Sequence, residues 1–189
     1  MKLQNLMTIA LLALVLSLTA VSSSHAQQRR TTLESLTEIS EAVVVARTVK
    51  TESFWNDDRT AILTRVTLEV SDFLTGQTPV RTEVIIPGGR IGDYIHEVSD
   101  MPSFTQDEEA VVFLERHRTG IHVVAGGLMG KLPITQDRTT GVKSVSGSGL
   151  ILMESDLNSD ESNDARAAED LDAVIILDVF KRRFKERIK

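Results

Sequence analysis

A glycine-rich stretch that ends in a lysine is the first feature that could do chemistry. Residues 126–131 read Gly-Gly-Leu-Met-Gly-Lys, which ends like a phosphate-binding loop. Such a loop also needs a glycine five residues before Gly130, and a serine or threonine after the lysine to hold Mg²⁺. Ala125 and Leu132 occupy these positions. The stretch therefore predicts a glycine kink between two strands rather than a nucleotide site.

A second glycine-rich stretch spans residues 88–92 and carries one cation, Arg90. Pro87 stands where a dinucleotide-binding fingerprint requires its first glycine, so the stretch predicts a tight turn that leads into a loop. A pocket for an anion, formed by Arg90 and backbone amides, is the alternative.

Metal-ligating side chains are few and widely spaced. After residue 26 the chain has no cysteine and three histidines, which are His96, His117 and His122. Their spacing is not that of a zinc site. Residues 156–167 follow some positions of a calcium loop, but Glu161 replaces its bending glycine and Ala167 its bidentate glutamate. We predict no metal and no cofactor.

Paired carboxylates are the catalytic chemistry that the composition leaves open. Acid–base hydrolysis needs two carboxyl groups that face each other across a cleft. The candidates are Asp57, Asp58, Asp93, Glu97, Glu108 and Glu109. Because the sequence has no Gly-x-Ser-x-Gly motif and no cysteine nucleophile, it favours a binding protein over an enzyme.

The first 26 residues have the features of an export signal. Lys2 supplies a positive charge, and residues 6–21 are almost uninterruptedly apolar. Ser24-His25-Ala26 then places small residues at the −3 and −1 positions of a cleavage site. We predict export to the periplasm or the extracellular space, with cleavage near Ala26. Retention as an N-terminal anchor is the alternative.

Composition and charge are those of an ordinary globular protein. Hydrophobic residues make up 41% and charged residues 25% of the 189 residues, which excludes collagen-like and wholly disordered proteins. Aromatic residues make up 4%, so valine, isoleucine and leucine must build the core. The net charge of −6 argues against nucleic acid as a partner, because phosphate binding needs a basic face.

Hydrophobic periodicity predicts a short helix followed by a strand hairpin. Residues 33–39 place apolar side chains three apart, and Thr32 before them is a suitable N-cap. Residues 42–49 are apolar on both faces, which is typical of a central strand. Apolar and polar residues alternate from 60 to 72, so a long half-buried strand is predicted there. The turn residues 55–59 join the two strands.

The rest of the chain predicts more short strands in hairpin order. They lie at residues 80–86, 110–114, 121–125 and 131–135. Residues 88–108 are interpreted as a long loop and residues 136–148 as a turn-rich segment. The pattern predicts a mainly β fold, in which residues 27–153 form a small antiparallel, partly closed OB-like barrel. A short N-terminal helix and a long C-terminal amphipathic helix accompany it.

The C-terminal region changes character. Residues 154–164 are predicted to be an acidic linker, and residues 165–189 an amphipathic helix. Acidic residues precede the helix and basic residues end it, as the helix dipole favours. We expect its apolar stripe to pack on the barrel. A membrane surface is the alternative partner, contacted through Lys181, Arg182, Arg183 and Lys185.

One succession of motifs runs from residue 33 to residue 135. It consists of the strands 42–48 and 62–70, Ser53-Phe54-Trp55, Pro87-Gly88-Gly89, Pro102-Ser103-Phe104 and the strand 108–114. This succession resembles a family of exported bacterial proteins. The resemblance implies a barrel similar to that of tissue inhibitors of metalloproteinases and netrin-type modules. Those inhibitors place an N-terminal cysteine on the protease zinc, and this chain has no cysteine, so their mechanism does not transfer.

These observations lead us to predict a secreted, non-catalytic binding module that recognises a protein or a cell-envelope component. The predicted binding surface is the loop 88–104, because it is long for a compact domain. Its candidate contact residues are Arg90, Tyr94, His96 and Phe104, together with Trp55 of the hairpin. Two alternatives stay open. One is a carboxylate-dependent hydrolase of envelope polymers, and the other is a membrane-surface protein that docks through its C-terminal helix.

Overall fold

The computed structural model describes residues 32–147 and 174–188. The predicted signal segment 1–26, the acidic linker 154–164 and the calcium-like stretch 156–167 lie outside these residues. The elements are, in chain order, α1 (Leu33–Ile39), β1 (Ala42–Trp55), β2 (Ile62–Thr75), β3 (Arg81–Pro87), β4 (Gly89–Ile91), β5 (Tyr94–His96), β6 (Glu109–Arg116), β7 (His122–Val124), a 3₁₀ turn (Gly127–Gly130), β8 (Lys131–Gln136), β9 (Lys143–Ser146), β10 (Val174–Ile176) and α2 (Leu177–Arg187).

Five strands close a barrel in the order β1-β2-β3-β7-β6, with β6 pairing back to β1. Their pairings are antiparallel except that of β3 with β7, which is parallel and joins Val84 to His122. The first half of β6 also pairs with β8, and β9 and β10 continue the sheet outward. The predicted mainly β, OB-like barrel is therefore confirmed.

The strands β1 and β6 are apolar on both faces because they separate two hydrophobic cores. Alternate residues of a strand point to opposite sides of the sheet. Val44 and Val112 point into the barrel, whereas Val43 and Phe113 point away from it. The sequence predicts a central strand over residues 42–49 because both of its faces are apolar. The second core is the physical reason for this pattern.

The outer core is covered by the two helices. Helix α1 is capped by Thr32, whose hydroxyl accepts a hydrogen bond from the backbone N–H of Ser35, and it buries Leu36. Helix α2 buries Phe180 and Phe184 in the same core, and Phe184 meets Phe113 edge to face at 6.2 Å between ring centroids. Both predicted helices are thus present, and the apolar stripe of α2 packs on the sheet.

The sequence predicts that the C-terminal helix begins at residue 165, but within the part of the chain that the structure describes it begins at Leu177. Residues Val174–Ile176 form β10, which pairs with β9 from Val174 opposite Ser146 to Ile176 opposite Ser144. A residue whose backbone pairs with a neighbouring strand cannot also make helical hydrogen bonds, so the helix starts at Leu177. No helix that the structure describes is both long and apolar enough to cross a membrane.

The β1–β2 hairpin continues past the residues of β1 that pair with β6, and we call residues 50–55 and 62–67 of this hairpin the ribbon. On its other side, β2 also pairs with β3 over residues 63–67. The register shifts between Thr48 and Lys50, where β1 carries one extra residue. Thr48 lies opposite Leu68 of the barrel interior, whereas Lys50 lies opposite Thr67 on the other face. The bulge therefore reverses which side chains of β1 point outward. On the outer face of the ribbon this places Lys50 and Glu52.

Two predicted loops contain strands. Residues 88–108 include the hairpin β4–β5, which pairs Gly89 with His96 and Ile91 with Tyr94. Residues 136–148 include β9, which pairs with β8 from Ile134 opposite Val145 to Gln136 opposite Lys143. The three strands β4, β5 and β9 are very short, so their residues show too few alternations to be recognised as strands in the sequence.

Candidate functional site

The hairpin β4–β5 is anchored on the inner face of the ribbon by a hydroxyl pair. The hydroxyls of Ser53 and Thr64 lie 3.0 Å apart, directly opposite each other on the two strands. Thr64 donates to the carbonyl oxygen of Gly88 at 2.7 Å, and the backbone N–H of Arg90 donates to Ser53 at 3.3 Å. The start of β4 is thereby tied to both strands of the ribbon.

Gly89 is required where the two layers meet. Its backbone has φ of +141°, which side chains rarely permit, and a Cβ there would overlap the hydroxyls of Ser53 and Thr64. The close approach holds β4 against the ribbon without an intervening side chain. Packing therefore explains the pattern Pro87-Gly88-Gly89. The tight turn predicted here is absent, because Gly88 is a single residue between β3 and β4 and the turn follows at residues 92–93.

An aromatic pair lies at the free end of this assembly. Trp55, the last residue of β1, meets Tyr94 of β5 edge to face, with 5.7 Å between the ring centroids. Tyr94 is 68% exposed and its neighbour Ile95 is 54% exposed. We call Trp55 and Tyr94 the aromatic patch, because Ile95, the next residue of β5, points to the opposite face of the hairpin. Two of the five predicted contact residues are thus brought together on one exposed surface.

Arg90 and His96 lie on the same hairpin but outside the aromatic patch. Arg90 is exposed and lies opposite Ile95 in the β4–β5 pairing, so its side chain shares the face of Ile95 rather than that of Tyr94. The ring nitrogen Nδ1 of His96 accepts a hydrogen bond from the backbone N–H of Ile62 at 3.3 Å. His96 therefore fastens β5 to β2 and is a positioning residue.

Phe104 is placed apart from the patch, in a contact with Lys131. It is half-buried against the barrel core, and the Nζ atom of Lys131 lies 4.7 Å from its ring centroid. The same ammonium pairs with Glu108 at 2.7 Å and donates to the carbonyl oxygen of Ser103. The side chain of Lys131 is only 7% exposed, so this cluster clamps the segment 103–108 onto β8.

The phosphate-loop-like stretch forms the kink that was predicted. Gly126 is left-handed at φ of +66°, Gly127–Gly130 make one 3₁₀ turn, and Lys131 begins β8. Since the Lys131 ammonium already neutralises Glu108, it is not available to a phosphate. The glycines serve the connection between β7 and β8.

The histidines His117 and His122, which lie on either side of the β6–β7 turn, do not form a common site. His117 is exposed and bonds to the Thr119 hydroxyl at 2.9 Å. His122 is buried, and its Nε2 atom lies 3.4 Å from a carboxylate oxygen of Glu41, which also holds Arg116 in a bidentate pair. Within residues 32–147 and 174–188 no cluster of three or more His, Asp or Glu side chains could hold a metal ion.

Two of the candidate catalytic carboxylates are engaged in ion pairs. Glu108 pairs with Lys131, and Glu109 pairs with Arg47 at 2.8 Å and with Lys143 at 2.5 Å. Burial acts to raise the pKa of Glu109, but the hydrogen bonds from Lys143 and Arg47 outweigh burial and lower the pKa below its ordinary value. Such a carboxylate stays ionised and accepts hydrogen bonds.

A groove that sequence reasoning missed lies on the outer face of the ribbon and barrel. Its volume is about 350 Å³, and we call it the charged groove; it is lined by Lys50, Glu52, Arg65, Thr67, Arg81 and Glu83. These residues come from three adjacent strands, β1, β2 and β3. In the sequence they read as the solvent face of alternating strands, and the β1 bulge that aligns Lys50 with Thr67 leaves no sequence signal.

Comparison of the chain with protein-family models, with curated proteins and with solved structures found no match. The resemblance to the barrel of metalloproteinase inhibitors and netrin-type modules therefore stays a prediction.

Proposed function

We propose that this chain is an exported, non-catalytic binding module, and that it recognises a protein or a cell-envelope component through the aromatic patch. The observation that carries the proposal is the exposure of Tyr94, in contact with Trp55, on a hairpin whose backbone is tied to the ribbon. Aromatic side chains are enriched in the centres of protein interfaces, because they bury a large area with little loss of conformational freedom.

The anchoring of the hairpin supports recognition by a surface that is already formed. Hydrogen bonds from Thr64 to Gly88 and from Arg90 to Ser53 fix one end of β4, and His96 fixes the end of β5. A surface that needs little ordering when it binds retains more of its contact energy as affinity. The Tyr94 side chain is therefore presented by a hairpin that is already held in place.

The carboxylates disfavour the hydrolase alternative. A general acid at neutral pH needs a pKa raised by an apolar surrounding. Among the described carboxyl groups, those whose pKa departs from the ordinary value are all shifted downward; they are Glu41, Glu52, Asp72, Glu109 and Asp137. These groups are held as anions by neighbouring donors.

The packing of α2 disfavours docking to a membrane through its apolar stripe. An interfacial helix needs that stripe free to enter the lipid. Phe180 and Phe184 are buried in the outer core, and Lys181 pairs with Asp72 at 2.9 Å. The helix would have to leave the sheet before it could insert.

The proposal is tested by co-sedimentation of the purified protein with the insoluble envelope fraction of the producing cell. We expect the wild type to sediment, and we expect Tyr94→Ala to weaken binding at least about tenfold, which is typical of a central aromatic contact. Val80→Ala is the matched control, because Val80 is a comparably exposed apolar residue (62%) before β3.

The proposal fails if the wild type does not sediment with the envelope and captures no partner from the soluble exported fraction. It also fails if Tyr94→Ala binds as well as the wild type. If Val80→Ala reduces sedimentation as much as Tyr94→Ala does, the binding is non-specific adsorption of apolar surface, and this too overturns the proposal.

A further inference from the structure

The charged groove has a floor made by one short side chain. Thr67 lies in the middle of β2, opposite Lys50 on one side and Glu83 on the other. Its sequence neighbour on the same face, Arg65, lies opposite Glu52. Long side chains therefore rise around a short one, and this difference in length creates the depression.

The floor presents the side-chain hydroxyl of Thr67. Thr67 is only 7% exposed, and its hydroxyl makes no hydrogen bond to any residue that the structure describes. It lines the groove, so the remaining exposure faces the cavity. A hydroxyl in this position can donate a hydrogen bond to water or a ligand and accept one from it.

The walls of the groove carry three cations and two carboxylates, in a chain whose net charge is −6. Lys50 pairs with Glu52 at 2.6 Å. Arg65 lies 3.5 Å from Glu83, and its guanidinium carbon lies 4.9 Å from the ring centroid of Phe54. Arg81 is exposed and has no ion pair within the described residues. The six lining residues thus carry one net positive charge. Glu69 lies opposite Arg81 in the strand pairing but makes no ion pair with it, so the Arg81 guanidinium can bind a ligand.

From this arrangement we propose that the charged groove binds a carboxylate-bearing oligosaccharide. The planar guanidinium of Arg81 accommodates a carboxylate through two parallel hydrogen bonds. The Thr67 hydroxyl and the carboxylates of Glu52 and Glu83 bond to ring hydroxyls, which both donate and accept. This face of an OB-like barrel is one on which oligosaccharides and oligonucleotides bind.

Two features of the six lining residues favour a saccharide over a nucleic acid as the ligand: they include two carboxylates, and none of them is aromatic. A phosphodiester group offers no hydrogen-bond donor to Glu52 and Glu83, whereas the ring hydroxyls of a saccharide donate to them. Binding of single strands also uses aromatic rings inside the groove, and no aromatic residue lines this one. A volume of about 350 Å³ is at the lower end of the range for small-ligand sites.

The charged groove and the aromatic patch lie on opposite faces of the same ribbon. Thr64 and Ser53 face the β4–β5 hairpin, whereas Arg65 and Glu52 face the groove. Binding at the groove is therefore independent of the function proposed for the patch, and Tyr94→Ala should leave it unchanged.

The test is a calorimetric titration of the full-length chain with a trimer of galacturonic acid, and with a neutral glucose trimer for comparison. We expect the acidic trimer to bind, and the neutral trimer to bind at least about tenfold more weakly, since a charge-assisted bidentate pair is lost. Arg81→Gln should reduce affinity for the acidic trimer by about tenfold. Thr67→Val, which keeps the shape and removes the hydroxyl, should reduce it about fivefold.

Arg118→Gln is the control for a general loss of positive charge, because Arg118 is exposed in the turn between β6 and β7. It should bind the acidic trimer within about twofold of the wild type. The proposal is overturned if the acidic trimer does not bind, or if Arg81→Gln and Arg118→Gln weaken it equally. Tighter binding of a linear triphosphate than of the acidic trimer would also overturn it, because the groove would then be a plain anion site.

Discussion

Ser53 and Thr64 face each other across the β1–β2 ribbon with their hydroxyl oxygens 3.0 Å apart, and Gly89 lies directly on them. The Thr64 hydroxyl donates a hydrogen bond to the Gly88 carbonyl oxygen, and the Ser53 hydroxyl oxygen accepts one from the backbone N–H of Arg90. This contact positions the β4–β5 hairpin, and with it the exposed residues Tyr94 and Ile95. The geometry of the aromatic patch therefore depends on three small residues that do not belong to it.

Gly89→Ala should destabilise the protein and loosen the hairpin. The new methyl group would overlap the hydroxyls of Ser53 and Thr64, and alanine would be strained at a φ of +141°. We expect the free energy of unfolding to fall by about 2–3 kcal/mol, measured by urea denaturation. Fluorescence of Trp55 should also change in the native state, because its contact with Tyr94 depends on the hairpin.

Gly92→Ala is the matched control for this substitution. Gly92 also has positive φ (+58°), but nothing lies within 4 Å of the added methyl group. It should cost about 1 kcal/mol from backbone strain alone. Equal losses for the two variants would show that the packing on Ser53 and Thr64 contributes nothing.

Lys131→Met should release the segment 103–108 from β8. The ammonium of Lys131 is buried, pairs with Glu108, donates to Ser103 and lies over the ring of Phe104. Removing one partner of a buried ion pair leaves the other unsatisfied, so we expect a loss of about 3 kcal/mol. Amide hydrogen exchange of residues 103–108 should become faster than in the wild type.

The same change at an exposed lysine controls for loss of charge. Lys50 pairs with Glu52 on the surface, so Lys50→Met should change stability by no more than about 0.5 kcal/mol. If amide hydrogen exchange of residues 103–108 is no faster in Lys131→Met than in the wild type, Lys131 does not hold this segment on β8.

Phe184→Ala should remove a large part of the outer core. Phe184 is fully buried and contacts both Phe113 and Phe180. Truncation of a buried phenylalanine costs about 3–5 kcal/mol, which would be seen as a lower midpoint of urea denaturation. Ile188→Ala, at an exposed position after the helix, should cost less than about 1 kcal/mol. Similar small effects in both variants would mean that α2 does not pack on the sheet in solution.

Acid should destabilise the protein partly through Glu109. In the folded chain its pKa is the balance of burial, which raises it, and of the hydrogen bonds from Lys143 and Arg47, which lower it below 4.5. The unfolded chain therefore binds this proton at higher pH than the folded chain does. The stabilisation is complete above the unfolded pKa and is lost as pH falls through the lowered, folded value.

Denaturation measured from about pH 7 to about pH 3 tests this contribution. Glu109→Gln should flatten the fall in stability below pH 4.5, because the titrating group is gone. Glu38→Gln, on the exposed side of α1, should leave the fall as steep as in the wild type. A curve for Glu109→Gln that parallels the wild type would place the acid sensitivity elsewhere.

The sequence predicted those parts of the fold that depend on local pattern. Thr32 caps the N-terminus of α1. The alternation of apolar and polar residues from residue 62 onward places Val66 and Leu68 inside the barrel. Both signals act between residues that are close in the chain. The fold class follows from them because short strands in hairpin order have few ways to bury one apolar face each.

The candidate site could be predicted only in part. A long loop with Tyr94 pointed to the region of the patch, but the contact of Tyr94 with Trp55 joins residues far apart in the chain. The pairs Arg47–Glu109 and Lys131–Glu108 are likewise set by strand register. The charged groove depends on a single bulge after Thr48, and a bulge changes which residues share a face without changing the composition.

The most direct measurement is amide hydrogen exchange of the full-length chain with and without the insoluble envelope fraction. If the aromatic patch binds, exchange should slow at residues 89–96 and at the end of β1 near Trp55. Amides of the β6–β7 turn, on residues 117–121, should be unaffected. Protection at the β6–β7 turn or along α2 with none at residues 89–96 would contradict the account.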